Sequence, residues 1–191
     1  IYGNPGHWEL EDIKAARQWL IKNGLADPNK IALHGESWGG YLTLLALGKF
    51  PNLWATGVAE IPIADYVEAY KEEPAYFKAY DKKLFGGSPK EVPGKYRRSS
   101  PITYVAKLNS PVLIIYGTND TRCPAKQVEK YIAKARQLSK EIKVKKFTSG
   151  HTGFADNKIQ LSNFAATFDF ISKIKDSGAN AKKRQQHRRD R

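Results

Sequence analysis

The chain contains no methionine and one cysteine, Cys123, in 191 residues. A lone thiol can form no internal disulfide and cannot build a zinc site from several thiolates, so no metal is expected, and a reducing, cytoplasmic setting is favoured. No run approaches the roughly 18 consecutive apolar residues of a membrane span. The N-terminus lacks the charged-then-apolar order of a secretion signal. The chain therefore reads as soluble, without membrane contact, and nothing in it calls for a cofactor. The missing methionine extends to position 1, and the chain opens on Ile1-Tyr2-Gly3, which reads as a fragment or processed piece of something longer.

What is present in quantity is positive charge. The net charge is +13, of which the stretch from Lys182 to Arg191, with six Lys or Arg against one Asp, supplies +5. A basic run can touch nucleic acid or an acidic surface. This one has no apolar residue and no accompanying nucleic-acid motif, so residues 177–191 are read as a solvated, disordered tail, and nucleic acid is not an expected partner. The remainder, residues 1–176, reads as a single domain, and 41% hydrophobic residues are enough for a real core.

Strands and helices alternate along that domain. Leu10, Ile13, Ala16 and Leu20 recur at spacings of three and four, which predicts an amphipathic helix over Glu9–Asn23 with one buried stripe and Gly24 at its end. A short apolar run, Lys30–His34, precedes Gly35-Glu36-Ser37-Trp38-Gly39-Gly40, and a helix-like run follows from Tyr41 to Phe50. Ala55–Ile61 reads as a second strand, and Pro111–Tyr116 as a third, apolar enough to be buried on both faces. A helix from Ala125 to Leu138, a strand over Lys143–Phe147 and a helix from Asn157 to about Ile174 complete the series, the last expected to bury Leu161, Phe164, Ala165, Phe168 and Ile171. Between the second and third strands, Asp65–Phe85 is crowded with aromatics and Gly86–Ser100 reads as an irregular Gly/Pro/Ser-rich connection. The alternation predicts an α/β fold with a parallel sheet.

The chemistry lies at the strand ends. Strand, Gly-x-Ser-x-Gly, helix is the pattern of a nucleophile elbow, in which a very tight turn needs glycine on both sides and lifts the serine hydroxyl clear of the sheet. In a parallel sheet the C-terminal strand ends open on one edge, so Ser37, Asp120 and His151 converge there. An alcohol needs a base to become a nucleophile at neutral pH, and the base needs an acid to fix its tautomer. Their order, Ser then Asp then His, is that of α/β-hydrolases. Asp65 and Asp156 are alternative orienting acids. His7, His34 and His187 read more simply as surface or structural histidines. The N–H of Trp38, opening the helix, is the expected oxyanion donor.

The run Gly35-Glu36-Ser37-Trp38-Gly39-Gly40-Tyr41, with Ser99-Ser100-Pro101-Ile102, Gly117-x-x-Asp120-x-Arg122-x-Pro124 and Gly150-His151, resembles the catalytic domain of the prolyl oligopeptidase family of serine peptidases, above all its acylaminoacyl-peptidase and dipeptidyl-aminopeptidase branch. The likeness runs from about Tyr2 to Ile174. It implies the C-terminal portion of an α/β-hydrolase domain that cuts short peptides, or releases acylated or dipeptide N-termini, through an acyl-enzyme. By matching positions, Ile63, Tyr66 and Cys123 would line the pocket for the residue before the cut, and Arg122 would hold a substrate carbonyl. Trp38 stands where tyrosine is common in the family, and Cys123 where valine is common. The resemblance also implies partners outside these residues: further N-terminal strands with a second oxyanion donor, a size-filtering β-propeller, and self-association. A carboxylesterase with the same triad and a non-catalytic hydrolase-fold binding module are the alternative functions.

Overall fold

The computed structural model describes residues 1–151 and 156–174. The basic tail expected over residues 177–191 lies outside the described residues. Four strands, β1 (Ala32–Glu36), β2 (Thr56–Glu60), β3 (Val112–Gly117) and β4 (Ile142–Phe147), form a parallel sheet in the order β1-β2-β3-β4. Helices α1 (Trp8–Lys22), α2 (Trp38–Lys49), α3 (Tyr66–Glu72), α4 (Ala75–Phe85), α5 (Pro93–Ser99) and α6 (Ala125–Gln137) share one apolar core with Ala59, Val112, Ile114 and Tyr116 of the sheet. Helix α7 (Asn157–Ser172) covers the alternate residues Val58, Leu113 and Ile115 on the opposite face. No helix among the described residues is long and apolar enough to cross a membrane.

Each element ends where its sequence can no longer continue it. The N–H groups of Gly24 and Leu25 return to the carbonyls of Ile21 and Leu20, both at about 3.0 Å, with Gly24 at φ +70°. This is the glycine-dependent helix stop that satisfies orphaned carbonyls. Helix α2 is buried almost all round, with Tyr41, Leu44, Leu45, Ala46 and Leu47 fully inside. It is the axis on which the larger core is built. The aromatic excursion packs as a run of ring contacts, Trp38–Tyr41, Tyr41–Tyr66, Tyr66–Phe85 and Phe85–Tyr96, with centroids 3.9–5.2 Å apart.

Three expectations need correction. Residues 93–99 of the supposed irregular connection are helical, because Pro93 occupies the first turn, where its missing N–H costs nothing, and Tyr96 anchors the turn by stacking on Phe85. In α1, Leu10 is buried but Leu20 is only half-buried and Ala16 is exposed, since the helix leans on α2 along its first turns alone. In α7 Ile171 of the expected stripe packs on the sheet, but the rest points outward: Leu161, Phe164 and Phe168 are 70%, 47% and 70% exposed, and Ala165 is exposed with them. The helix has two apolar faces. The one that docks combines small, close-approaching Asn163, Ala166 and Thr167 with Phe170 and Ile171, and periodicity cannot choose between such faces.

A buried amide fixes the segment after β2. The fully buried Gln127 of α6 accepts from the N–H groups of Ala64 and Asp65 and donates to the Pro62 carbonyl at 2.9 Å, bracketing Ile63. Gln127→Met keeps the shape but leaves two N–H groups and one carbonyl unpaired. It is expected to lower unfolding free energy by about 2–4 kcal/mol, as buried unpaired polar groups do, read as a reduced midpoint in urea denaturation.

Candidate active site

The turn after β1 has the geometry the motif demands. Ser37 sits at φ 54°, ψ −112°, a strained backbone for a residue with a side chain. Its N–H donates to the Glu60 carbonyl of β2 at 2.9 Å, while its own carbonyl accepts from Tyr41 N–H at 2.9 Å and so starts α2. A Cβ on Gly35 would collide with the backbone of Gly39, and one on Gly40 would lie 2.6 Å from the Glu60 carbonyl oxygen. A Cβ on Gly39 would meet open space. The second required glycine is thus Gly40 rather than the Gly39 of the motif, because it is Gly40 that faces β2.

The other two strand ends meet this turn. Thr118 and Asn119, after β3, donate their N–H groups to the carbonyls of Phe147 and Ser149 after β4, which draws the two loops together. Asp120 is buried, and its Oδ1 accepts from the N–H groups of Arg122 and Cys123, both at 2.8 Å. Its Oδ2 lies 2.9 Å from His151 Nδ1, and His151 Nε2 lies 2.9 Å from Ser37 Oγ. Ser37, His151 and Asp120 therefore form one continuous hydrogen-bonded relay.

The competing residues are committed elsewhere. Asp65 caps α3 through the N–H groups of Val67 and Glu68 and pairs with Lys130 at 2.7 Å. Asp156 caps α7 through those of Lys158 and Ile159. His34 points to the α7 side of the sheet and pairs with Glu60 at 2.9 Å, and that hydrogen bond raises its pKa. His7 precedes α1 and packs edge-on against Trp8. His187 lies outside the described residues.

The profile of the prolyl oligopeptidase family matches residues 1–177. The chain belongs to this family. It is 28% identical over 148 residues to an acylamino-acid-releasing enzyme of Arabidopsis thaliana, covering 74% of this chain and 19% of that protein. It is 33% identical over 132 residues to dipeptidyl aminopeptidase BIII of Pseudoxanthomonas mexicana, covering 66% of this chain and 19% of that protein. The solved acylaminoacyl peptidase of Pyrococcus horikoshii superposes with a TM-score of 0.75 at 26% identity, covering 82% of this chain and 26% of that one. The fold is accordingly that of the α/β-hydrolase peptidases. The chain spans about a fifth of the length of the curated relatives it matches.

Beside the relay of this family member lies a half-open cavity of about 250 Å³. Ser37, Trp38, Ile63, Tyr66, Arg122, Cys123 and His151 all border it, so the expected pocket residues share one space with the serine. Cys123 is buried against Ser37, and burial pushes its thiol pKa well up, which keeps it a neutral neighbour and not a rival nucleophile. Asp120, Cys123 and His151 place potential metal-ligand atoms within 4.8 Å of one another. The Asp120 and His151 donors are already engaged in the relay, so binding a metal would dismantle it.

Sequence reading missed four further lining residues, Glu73, Phe77, Tyr80 and Asp81. Glu73 stands in a charged run, Lys71-Glu72-Glu73. The following Pro74 forces it out of helix into extended backbone, ending α3 and leaving Glu73 4% exposed. The Glu-Pro dipeptide was the available signal for the break, but nothing in the sequence signals the burial. Desolvation raises Glu73 to about 8, with Asp81 adding to the effect, and raises Asp81 to about 7.

Two outcomes are expected. Gly39→Ala should unfold near the parent midpoint, whereas Gly35→Ala and Gly40→Ala should lose several degrees of Tm or fail to fold. For the acid pair, protons bound more tightly in the folded state add stability that is complete below the ordinary carboxylate range and disappears as pH rises through about 7 and 8. Urea midpoints should fall between pH 5 and about 8, and this fall should flatten in a Glu73→Gln/Asp81→Asn variant.

Proposed function

We propose that the chain carries the catalytic centre of a serine peptidase that cleaves short peptides, or releases acylated or dipeptide N-termini, through an acyl-enzyme. The observation that carries this reading is the relay from Asp120 through His151 to Ser37, with both His151 contacts at 2.9 Å. Ser37 Oγ attacks the scissile carbonyl carbon while His151 Nε2 takes its proton, and Asp120 holds Nδ1–H and stabilises the imidazolium. The carbonyl electrons move onto oxygen, and the N–H of Trp38 receives that oxyanion, since the first N–H groups of a helix have no intrahelical acceptor. The proton then passes from His151 to the leaving amine as the C–N bond breaks. Water, deprotonated by the same histidine, releases the acyl group and restores Ser37. Ile63, Tyr66 and Cys123 line the space for the residue before the cut, and Arg122, on the exposed rim, reaches a substrate carbonyl.

In this reading residues 1–176 form the C-terminal portion of the hydrolase domain, and the sheet continues beyond β1. Two features support that continuation. The outer strand β4 carries Lys143, Lys145 and Lys146, the charged pattern that protects a free edge, whereas β1 offers Ala32, Leu33 and Gly35. Exposed Trp8, Trp19 and Leu25 on and just after α1, and Leu161, Phe164 and Phe168 on α7, give further apolar surface for the same region to cover. A second oxyanion donor belongs there, with a β-propeller as the size filter, and self-association is a further means of covering these faces. The single, buried Cys123 suits a reducing compartment such as the cytoplasm.

The test is fluorophosphonate labelling of the full-length polypeptide. Ser37 should be modified, and Ser37→Ala should abolish labelling. Asp120→Asn should lower kcat on peptide p-nitroanilides by about 10⁴-fold, as loss of the tautomer-fixing acid does in such relays. An unlabelled Ser37 in a folded protein would overturn the reading.

A further inference from the structure

Two of the carboxylates that line the cavity beside Ser37 have been given no partner. Glu73 and Asp81 are each 4% exposed, and Glu73 Oε2 and Asp81 Oδ2 accept no hydrogen bond. The hydroxyl of Tyr66, a residue 1% exposed on the same wall, is also without a partner. Neither carboxylate lies within ion-pair distance of a lysine or arginine among the described residues. Lys78, the cation nearest in effect on Glu73, donates its ammonium to the Lys71 carbonyl at 3.2 Å, and Arg122 is exposed at the rim.

Such a group is costly inside a protein. An ionised carboxylate taken from water without a counter-charge loses several kcal/mol, and an unbonded buried polar atom about 1–3 kcal/mol. A purely structural site would be expected to hold these oxygens by backbone N–H groups, as the same chain does for Asp65, Asp120 and Asp156. Here the residues that carry them line the cavity next to the nucleophile instead.

We propose that Glu73, Asp81 and the Tyr66 hydroxyl form a cation-accepting subsite, which seats an ammonium or guanidinium group of the substrate while Ser37 attacks the adjoining carbonyl. This rests on the peptidase reading above. An ammonium brings three donors for the three unpartnered oxygens. At rest the raised pKa values favour protons on the acid pair, and the arriving cation takes the place of those protons. An uncharged side chain of equal length would strip the remaining water from the oxygens and return nothing, and a site built for polar groups discriminates most strongly against such an analogue. Phe77, Tyr80 and Ile63 supply the apolar sides along which a long methylene stem can lie. The cation can be the side chain of the residue before the cut or the free α-amine of the substrate.

Three p-nitroanilides separate these sources in the full-length protein: acetyl-lysine, acetyl-norleucine and norleucine with a free amine. Higher kcat/KM for acetyl-lysine than for acetyl-norleucine, by roughly 10- to 100-fold for a buried charge-assisted contact, places the side-chain cation in the subsite. The same preference for free-amine norleucine over acetyl-norleucine places the α-amine there. In either case Glu73→Gln and Asp81→Asn, singly and together, should collapse the ratio while Ser37 still labels with fluorophosphonate. An unchanged ratio in labelled variants overturns the subsite and leaves the peptidase reading intact. Should Ser37 not label at all, equilibrium binding of acetyl-lysine amide and acetyl-norleucine amide to the Ser37→Ala protein decides the subsite separately. Equal affinities, or a lysine preference that survives Glu73→Gln/Asp81→Asn, would overturn it.

Discussion

Ser37 can stand where it does because α2 presses against β1 and β2 more closely than side chains would permit. The Ser37 N–H bonded to the Glu60 carbonyl at 2.9 Å ties the turn to the neighbouring strand, and Gly35 and Gly40 are the positions where backbone meets backbone. A residue held at such φ/ψ costs on the order of 1–3 kcal/mol. Leu44, Leu45 and Leu47, all fully buried on α2, contribute about 1.5–3 kcal/mol each when taken from water. The strain is therefore outweighed within the same helix. Ile61, just after β2, is also at positive φ.

With the turn held, the parallel register does the rest. Strands β1, β3 and β4 point their C-terminal ends the same way, so residues far apart in the chain reach one edge without any local motif. Precision then comes from hydrogen bonds. Asp120 is oriented by two backbone N–H groups on one oxygen, which leaves the other free to aim at His151. His151 is in turn held between two groups, Asp120 at one ring nitrogen and Ser37 at the other.

Much of this was legible because it is local or periodic. The four strands, the elbow and the long helices follow from apolar runs, glycine spacing and breakers, and the structure brings Ser37, Asp120 and His151 together as their positions after strands suggested. What was not legible depends on which surfaces meet. Helix α7 has two apolar faces, and the choice between Phe168 outside and Phe170 inside is made by the sheet, not by the helix. Gly39 satisfies the written motif, yet Gly40 bears the steric demand, because a motif records spacing and not the direction in which each Cα faces. Glu73 and Asp81 carry no sign of burial in the sequence, since acidic residues are usually exposed, and they are buried where α3 and α4 border the cavity.

Asp120, Glu73 and Asp81 are all buried near Ser37, and the partners around them differ. Asp120 is supplied with two N–H donors and a histidine, so its oxygens have the partners a negative charge requires. Among the described residues no N–H group donates to Glu73 Oε2 or Asp81 Oδ2, so burial drives both toward the protonated form. Asp120 lies on the far side of the histidine from the serine. The same chemical group is thus hydrogen-bonded in one place and pushed toward its neutral form in another, according to how many donors the fold provides.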